Sequence, residues 1–339
     1  MVPRTAKPAQ NPGAAMIRVL SIDGGGIRGI MPATWLMALE EQTGKPVAEL
    51  FDLVVGTSTG GILALGLTSA SADGKPHSAA ELRSLYVDHG AEIFPGTGTA
   101  GTEGSTGTQA RYPAEPLRRL LNGFFGAMPL SAALKPVAVV TVDIRNLSGL
   151  LFSGGGLGQD PLGDAPMQLA ALATSSAPTY FDPVPYTGPD GVERLLVDGG
   201  LAANDPAFVG FAIAVVQQRT ARQGEEILLV SMGTGLHNSG NSLESNAVSQ
   251  LAHPEQLAAL EPVIESLYGA PGRLTRRLLG LALGERYVRV QTPLLPGVDH
   301  ALDDASPENI DGLLRTAEAV VAAGHLQDLG VRLTAESPD

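Results

Sequence analysis

Ser58 is the central residue of a Gly-x-Ser-x-Gly pentapeptide that begins at Gly56 and ends at Gly60. The apolar residues 51–55 before it have the length and β-branched enrichment of a strand, and residues 61–65 after it predict a helix. Small residues around a serine allow the sharp turn of a nucleophile elbow, which leaves the hydroxyl exposed above a sheet. Because the chain contains 42 glycines, the prediction depends on this strand–turn–helix context.

A glycine-rich loop, Asp-Gly-Gly-Gly-Ile-Arg-Gly at residues 23–29, lies between a predicted strand at residues 18–22 and a predicted helix at residues 31–41. A loop of this kind presents free backbone N–H groups at the start of a helix. They suit a phosphate or the oxyanion of a tetrahedral intermediate. Three of the glycines also have the Gly-x-Gly-x-x-Gly spacing of a dinucleotide site, so two classes of enzyme compete.

The dinucleotide interpretation lacks its acidic residue. Such a site needs an acid about 20 residues further on, at the end of the next strand, to bind a ribose. Glu40 and Glu41 lie near that distance, but in a predicted helix, and the next strand leads into Ser58. The loop is therefore expected to bind an oxyanion or a phosphate and not a dinucleotide. The remaining alternative is a tight turn that only packs a helix on a sheet.

An acidic residue ends a third predicted strand. Residues 193–197 are followed by Asp198, Gly199 and Gly200, a pattern that in isolation is commonly just a turn. Since the carboxyl ends of strands in open α/β sheets gather at one edge, we expect Asp198 to lie near Ser58.

Together these three motifs resemble the patatin-like phospholipases. Residues 173–181 and 201–206 resemble the segments on either side of that family's Asp-Gly motif, and the resemblance spans residues 16–330. It implies an α/β fold of three layers, with a mostly parallel central sheet flanked by helices. It also implies a phospholipase A-type lipid acyl hydrolase, a carboxylic ester hydrolase with a Ser58–Asp198 dyad.

The resemblance assigns roles within the motifs. Ser58 would be the nucleophile, and Asp198 would act on it directly as the base. The backbone N–H groups of the Gly24–Gly26 loop, chiefly Gly25 and Gly26, would bind the oxyanion with Thr59. The remaining motif glycines are Gly24, which allows the turn, and Gly29, Gly56, Gly60, Gly199 and Gly200. The chemistry requires no metal and no cofactor.

Two charged residues of the loop have open roles. Arg28 could bind a lipid phosphate, or it could brace the loop by pairing with a carboxylate. Asp23 could hold the backbone of the loop. None of the six histidines lies in a matching motif, so no imidazole base is predicted. A free Asp titrates near pH 3.9, and burial of Asp198 would be needed to make it a stronger base.

Composition limits the partners and the location. The net charge of −13 argues against nucleic acid, and no apolar run is long enough to span a membrane. Zero cysteines exclude disulfides, and residues 1–15 lack the apolar core of a Sec signal.

We expect a cytoplasmic protein that visits membranes to reach a phospholipid or other acyl lipid. The Ala, Gly and Arg content suggests a bacterial gene. The oligomeric state is open.

The chain predicts one domain at residues 16–330, between tails at 1–15 and 331–339. Residues 96–109, rich in Gly, Thr and Ser, predict a mobile loop, either a lid or a passive insertion. Residues 273–283 predict a helix with three arginines beside a leucine face, suited to a lipid surface or to packing in the core.

Because fold alone does not establish activity, a catalytically idle or activator-dependent effector is the alternative function.

Overall fold

The computed structural model describes residues 16–96, 110–158, 161–221, 226–236 and 261–335. The predicted tail at residues 1–15 and nearly all of the predicted mobile loop, residues 97–109, lie outside these ranges. No helix within the described ranges is long and apolar enough to cross a membrane.

An eight-stranded sheet forms the centre of the molecule, in the order β5-β6-β3-β2-β1-β7-β8, with β4 paired to β3. The strands are β1 Met16–Ile22, β2 Leu53–Thr57, β3 Val137–Asp143, β4 Ser148–Gly154, β5 Val184–Thr187, β6 Glu193–Asp198, β7 Glu226–Met232 and β8 Tyr287–Val290. Strands β3, β2, β1, β7 and β8 are parallel, whereas β4, β5 and β6 run antiparallel to their neighbours. The mostly parallel sheet is therefore confirmed.

Helices cover both faces of this sheet. They are α1 Ile30–Thr43, α2 Val47–Leu50, α3 Thr59–Thr68, α4 Ala79–Ile93, α5 Glu115–Phe125, α6 Met167–Ser175, α7 Gly200–Ala203, α8 Ala207–Ala221, α9 Glu261–Leu283, α10 Pro307–Ala322 and α11 Gln327–Thr334. Alternate strand residues serve the two faces, since Leu20 and Val54 join one buried cluster and Val19 and Val55 join the other. The second cluster is closed by α8 and α9. The predicted three-layer arrangement is confirmed.

Most of the predicted strands and helices are present, with small shifts at their ends. Helix α4 begins with a capping box, because the Ser78 hydroxyl accepts from the Glu81 N–H at 3.2 Å and Glu81 accepts from the Ser78 N–H at 2.7 Å. Strand β5 has four residues and contains Pro185, which is unfavourable in most strands, so its sequence does not indicate a strand.

The predicted carboxyl-terminal boundary of the domain, residue 330, lies within helix α11. Helix α11 continues to Thr334, and Leu329 and Leu333 are buried against the core. The two leucines are four residues apart and share one face of the helix. Such a short apolar repeat does not by itself indicate a helix in the sequence. The Arg18 guanidinium donates to the Leu333 carbonyl at 3.0 Å and ties this helix to β1.

Candidate active site

Ser58 occupies a strained turn between β2 and α3. Its backbone has φ 56° and ψ −126°, a left-handed region that is unfavourable for a residue with a side chain. A Cβ atom on Gly56 would lie 2.1 Å from the Gly60 carbonyl oxygen, and one on Gly60 would lie 2.2 Å from the Ile22 carbonyl oxygen. Neighbouring backbone atoms lie too close for a side chain at either position, so both motif glycines are required. The segment has the predicted strand–turn–helix geometry.

Thr174, at the end of α6, fixes this turn. Its hydroxyl accepts from the Ser58 backbone N–H at 2.8 Å and donates to the Val140 carbonyl at 2.6 Å. The strained residue is thus anchored to both a helix and the central sheet. The Ser58 N–H is consequently not available to an oxyanion.

Asp198 reaches Ser58 because two strands share one edge of β3. Strand β4 pairs with the whole of β3, so β2 and β6 divide the remaining edge. Thr57 pairs with Val140 and Asp198 with the next residue, Thr141, so the two strands meet end to end. The expected position of Asp198 is correct, but the reason was wrong, since β6 is antiparallel to β3 and does not end with the parallel strands.

The Asp198 carboxylate is buried, with 1% of its surface exposed. It accepts the Gly200 N–H at 2.6 Å, and the Ser58 side chain lies within hydrogen-bonding reach. Burial raises the pKa of Asp198 to about 7, while the hydrogen bonds from Ser58 and Gly200 oppose this rise. A Cβ atom on Gly199 would lie 2.2 Å from the Val140 carbonyl oxygen, so the turn after Asp198 also needs glycine. The carboxylate can act as a base near neutral pH.

The glycine loop faces Ser58 from the end of β1. A Cβ atom on Gly24 would lie 3.1 Å from the Ser58 Cβ, and Gly25 and Gly26 line the same cavity as Ser58. Within the described ranges, the N–H groups of Gly25 and Gly26 donate to no protein acceptor. The Gly26 backbone has φ +56°, and a Cβ atom there would lie 2.1 Å from the Leu302 carbonyl oxygen. Gly25 and Gly26 therefore bring two free N–H donors to the cavity that Ser58 lines.

Gly24 does not belong with these donors. Its N–H donates to the Asn204 carbonyl at 3.0 Å, so its part is in the turn alone. Thr59 is the first residue of α3, where a backbone N–H has no acceptor within its own helix. The Thr59 hydroxyl donates to the Tyr86 hydroxyl at 2.6 Å, so only its backbone can serve an oxyanion.

Asp23 pairs with Arg289 and not with its own loop. The two Asp23 carboxylate oxygens accept from Arg289 at 2.9 and 2.5 Å, and Arg289 also donates to the Ser231 hydroxyl at 2.6 Å. The same guanidinium lies 3.7 Å from the buried carboxylate of Asp205, whose pKa burial and the neighbouring Asp23 raise to about 7. The predicted role of Asp23 is corrected, because a bidentate guanidinium is the stronger partner.

Replacing Arg289 by alanine is expected to destabilise the protein by about 3–5 kcal/mol, because Asp23 would stay buried without its cation and Asp205 would keep only Arg276, at 3.8 Å. Urea unfolding at pH 8, above the pKa of about 7 for Asp205, measures the loss. Arg315→Ala is the matched control, since Arg315 and its partner Asp311 are both about two-thirds exposed, and it should cost less than about 1 kcal/mol. Equal losses in the two variants would contradict a buried charge network.

Arg28 braces the loop through a backbone carbonyl. Its Nε donates to the Gly25 carbonyl at 3.3 Å. The contact keeps the loop compact beside Gly26. A phosphate contact by Arg28 stays a prediction.

A single cavity joins these groups. Ser58, Asp198, Gly25 and Gly26 line it on one side, and its other walls are largely apolar. The apolar walls include Ile27, Ile62, Ile93, Phe94, Leu117 and Phe181. The segment at residues 173–181 supplies part of the lining, beside Ser58 and Asp198. The cavity can hold a hydrocarbon chain with one polar end at Ser58.

Two residues of the site lay outside every predicted motif. Arg289 stands in the strand segment Tyr-Val-Arg-Val, where a charge among apolar residues is the signal that could have found it. Tyr268 of α9 lines the cavity next to Asp198, and no local pattern marks it.

Comparisons with known proteins give the following matches. A family model described as patatin-like phospholipase matches residues 20–210. Patatin-like protein 2 of Arabidopsis thaliana is 30% identical, over 90% of this chain and 83% of that protein. A Solanum tuberosum protein named probable inactive patatin-3-Kuras 1 is 30% identical, over 92% of this chain and 88% of that protein. The crystal structure of VipD from Legionella pneumophila matches at 13% identity and a TM-score of 0.44, over 92% of this chain and 67% of that chain.

Proposed function

The chain belongs to the patatin-like phospholipase family, and on that premise we propose that it is a phospholipase A-type hydrolase of acyl esters that uses Ser58 and Asp198. The observation that carries the proposal is the strained Ser58 turn beside a buried Asp198 whose pKa is about 7. A serine within reach of a base, next to free N–H groups, is the arrangement needed for acyl transfer.

The reaction begins when the Ser58 Oγ attacks the ester carbonyl carbon and its proton passes to Asp198. The N–H groups of Gly25 and Gly26, with that of Thr59, bind the oxyanion that forms. The ester C–O bond then breaks, and Asp198 returns the proton to the leaving alcohol. Water attacks the acyl-enzyme in the second half, with Asp198 again as base, and releases the fatty acid. The apolar cavity holds the acyl chain.

The experiment that tests this function is hydrolysis of a panel of phospholipids by the native chain and by Ser58→Ala. Fatty acid release by the native chain alone supports it. A second candidate, an idle or activator-dependent effector, is favoured by the name of the probable inactive patatin relative. A serine-directed fluorophosphonate distinguishes the two, because only a chain with an active nucleophile is labelled at Ser58.

The C-terminal part of α9 supports contact with a lipid surface. Leu274, Leu278 and Leu281 are 60%, 46% and 78% exposed, and the exposed Arg273 and Arg277 flank them on the same face. Exposed leucines beside arginines suit the boundary between head groups and acyl chains. The same helix carries Tyr268 in the catalytic cavity, so a docked face would bring the site close to its substrate. We place this transient docking on the cytoplasmic side of a membrane.

The alternative prediction for this helix, that it packs in the core, is also partly correct. Leu279 and Leu283 are buried in the second core cluster. Arg276 is turned toward Asp205, at 3.8 Å, so it is not part of the exposed face. The helix is thus held to the sheet by one side and exposes the other.

Replacing Leu274, Leu278 and Leu281 together by Gln is expected to weaken binding to anionic vesicles by at least about tenfold, since each leucine loses apolar contact with the lipid. Sedimentation with phosphatidylglycerol vesicles measures the binding. Hydrolysis of a soluble short-chain ester should not change. Val331→Gln, which changes an apolar residue that is 66% exposed on α11, is the control and should bind normally. Unchanged vesicle binding in the triple variant would reject the docking face.

A further inference from the structure

The hydroxyl of Tyr268 is buried in the catalytic cavity without a partner. Tyr268 is 9% exposed and lines the cavity with Ser58 and Asp198. Its Oη makes no hydrogen bond to any residue within the described ranges. Leaving a buried polar group unpaired costs about 1–3 kcal/mol, so such a group in a native cavity calls for an explanation. A substrate atom that arrives during the reaction provides one.

The phenol end of Tyr268 lies beside the Asp198 carboxylate. A Cβ atom on Gly200 would be 2.9 Å from the Asp198 Oδ1 and 3.1 Å from the Tyr268 Cζ. The two side chains therefore flank one point next to the Gly200 backbone. Any residue larger than glycine at position 200 would push into both.

Tyr268 can serve as a donor throughout the pH range of the enzyme. Burial raises the pKa of its phenol far above the usual value, and the neighbouring Asp198 carboxylate raises it further. The hydroxyl therefore keeps its proton. It can donate a hydrogen bond to an oxygen that gains negative charge without giving the proton up.

The order of proton transfers indicates which oxygen that is. Asp198 takes the proton from Ser58 and must deliver it to the ester oxygen of the departing alcohol, so this oxygen must come next to Asp198. The carbonyl oxygen is bound instead by the N–H groups of Gly25 and Gly26 in the proposed reaction. Since Tyr268 is beside Asp198, its hydroxyl is placed at the departing oxygen.

We propose that Tyr268 is a further catalytic residue, whose hydroxyl donates a hydrogen bond to the leaving-group oxygen as the ester C–O bond breaks. No proton changes hands at Tyr268, because the proton that the alcohol receives is the one that Asp198 took from Ser58. The inference rests on the proposed function. It requires that the rate gain from the Tyr268 hydroxyl increase with the negative charge that develops on the leaving-group oxygen.

The test compares Tyr268→Phe with the native chain on two esters of one short acyl chain, a glycerol ester and a 4-nitrophenyl ester. Phenylalanine keeps the ring and removes only the hydroxyl. We expect kcat/KM, which reports acylation, to fall about 10- to 100-fold for the glycerol ester, whose alkoxide is a poor leaving group. The nitrophenolate leaves without help, so the loss there should stay within about threefold.

Tyr186→Phe is the matched control, because the Tyr186 hydroxyl donates to the Leu162 carbonyl and does not line the cavity. It should hydrolyse both esters like the native chain. An equal loss on both esters by Tyr268→Phe, or no loss on either, would overturn the role of Tyr268. A native chain that hydrolyses neither ester would instead overturn the proposed function, and the inference with it.

Discussion

Replacing Ser58 by alanine is expected to lower kcat for ester hydrolysis about 10⁶-fold, the loss typical of an enzyme deprived of its serine nucleophile. The Oγ of Ser58 is the hydroxyl within hydrogen-bonding reach of Asp198, and no acyl-enzyme can form without it. Release of fatty acid from a phospholipid and from a soluble ester measures the effect. The fold should be unchanged, since the substitution removes one oxygen and keeps the Cβ atom.

Ser175→Ala is the matched control for this prediction. Ser175 also lines the cavity and is 9% exposed, as is Ser58. It is expected to keep activity within about tenfold of the native chain, because the hydrogen bond to Asp198 comes from Ser58. If Ser58→Ala kept more than a few per cent of the activity, or if Ser175→Ala were the more damaging change, the nucleophile would be another residue.

Local pattern was sufficient to predict the elements that carry the site. The runs before Ser58 and Asp198 are short, apolar and bounded by glycine, and those features act within a few residues of the chain. The glycines were predictable for the same reason, because a turn as tight as that at Ser58 leaves no room for a Cβ atom on Gly56 or Gly60. The family resemblance then supplied the pairing of Ser58 with Asp198.

Strand direction and long-range pairing were not predictable from the sequence. Whether β6 runs parallel or antiparallel to β3 depends on the chain between them, and both directions can bring Asp198 to the same place. The Asp23–Arg289 pair joins residues 266 positions apart, and no local pattern encodes such a contact. The donor choice within the glycine loop also depends on a distant residue, since Asn204 takes the N–H of Gly24. These misses share one cause, which is that tertiary contacts decide among options that are locally equivalent.

Replacing Asp198 by asparagine is expected to lower kcat/KM by about 10⁴-fold or more, because an amide keeps the shape of the side chain but cannot accept the Ser58 proton. The native chain should also show a pH dependence that the variant lacks. Since the pKa of Asp198 is about 7 and the base must be ionised, native kcat/KM should be half-maximal near pH 7 and fall about tenfold per pH unit below it.

Stability separates the loss of a base from damage to the fold. The pKa of Asp198 is raised from 3.8 to about 7, so between these values the folded chain holds a proton that the unfolded chain has released. The contribution of Asp198 to stability is therefore full below about pH 4 and is lost as the pH rises through 7. Asp198→Asn removes the buried charge, and we expect it to be more stable than the native chain at pH 8 in urea unfolding, by roughly 1–3 kcal/mol.

An inactive but more stable Asp198→Asn variant would identify Asp198 as a base held in place at a cost in stability, as the dyad requires. An inactive and less stable variant would point to a structural role instead. A Ser–His–Asp triad would need an imidazole at the cavity. No histidine within the described ranges lines this cavity. No single His→Ala change should therefore match the loss caused by Ser58→Ala. One histidine whose removal did so would replace the dyad by a triad.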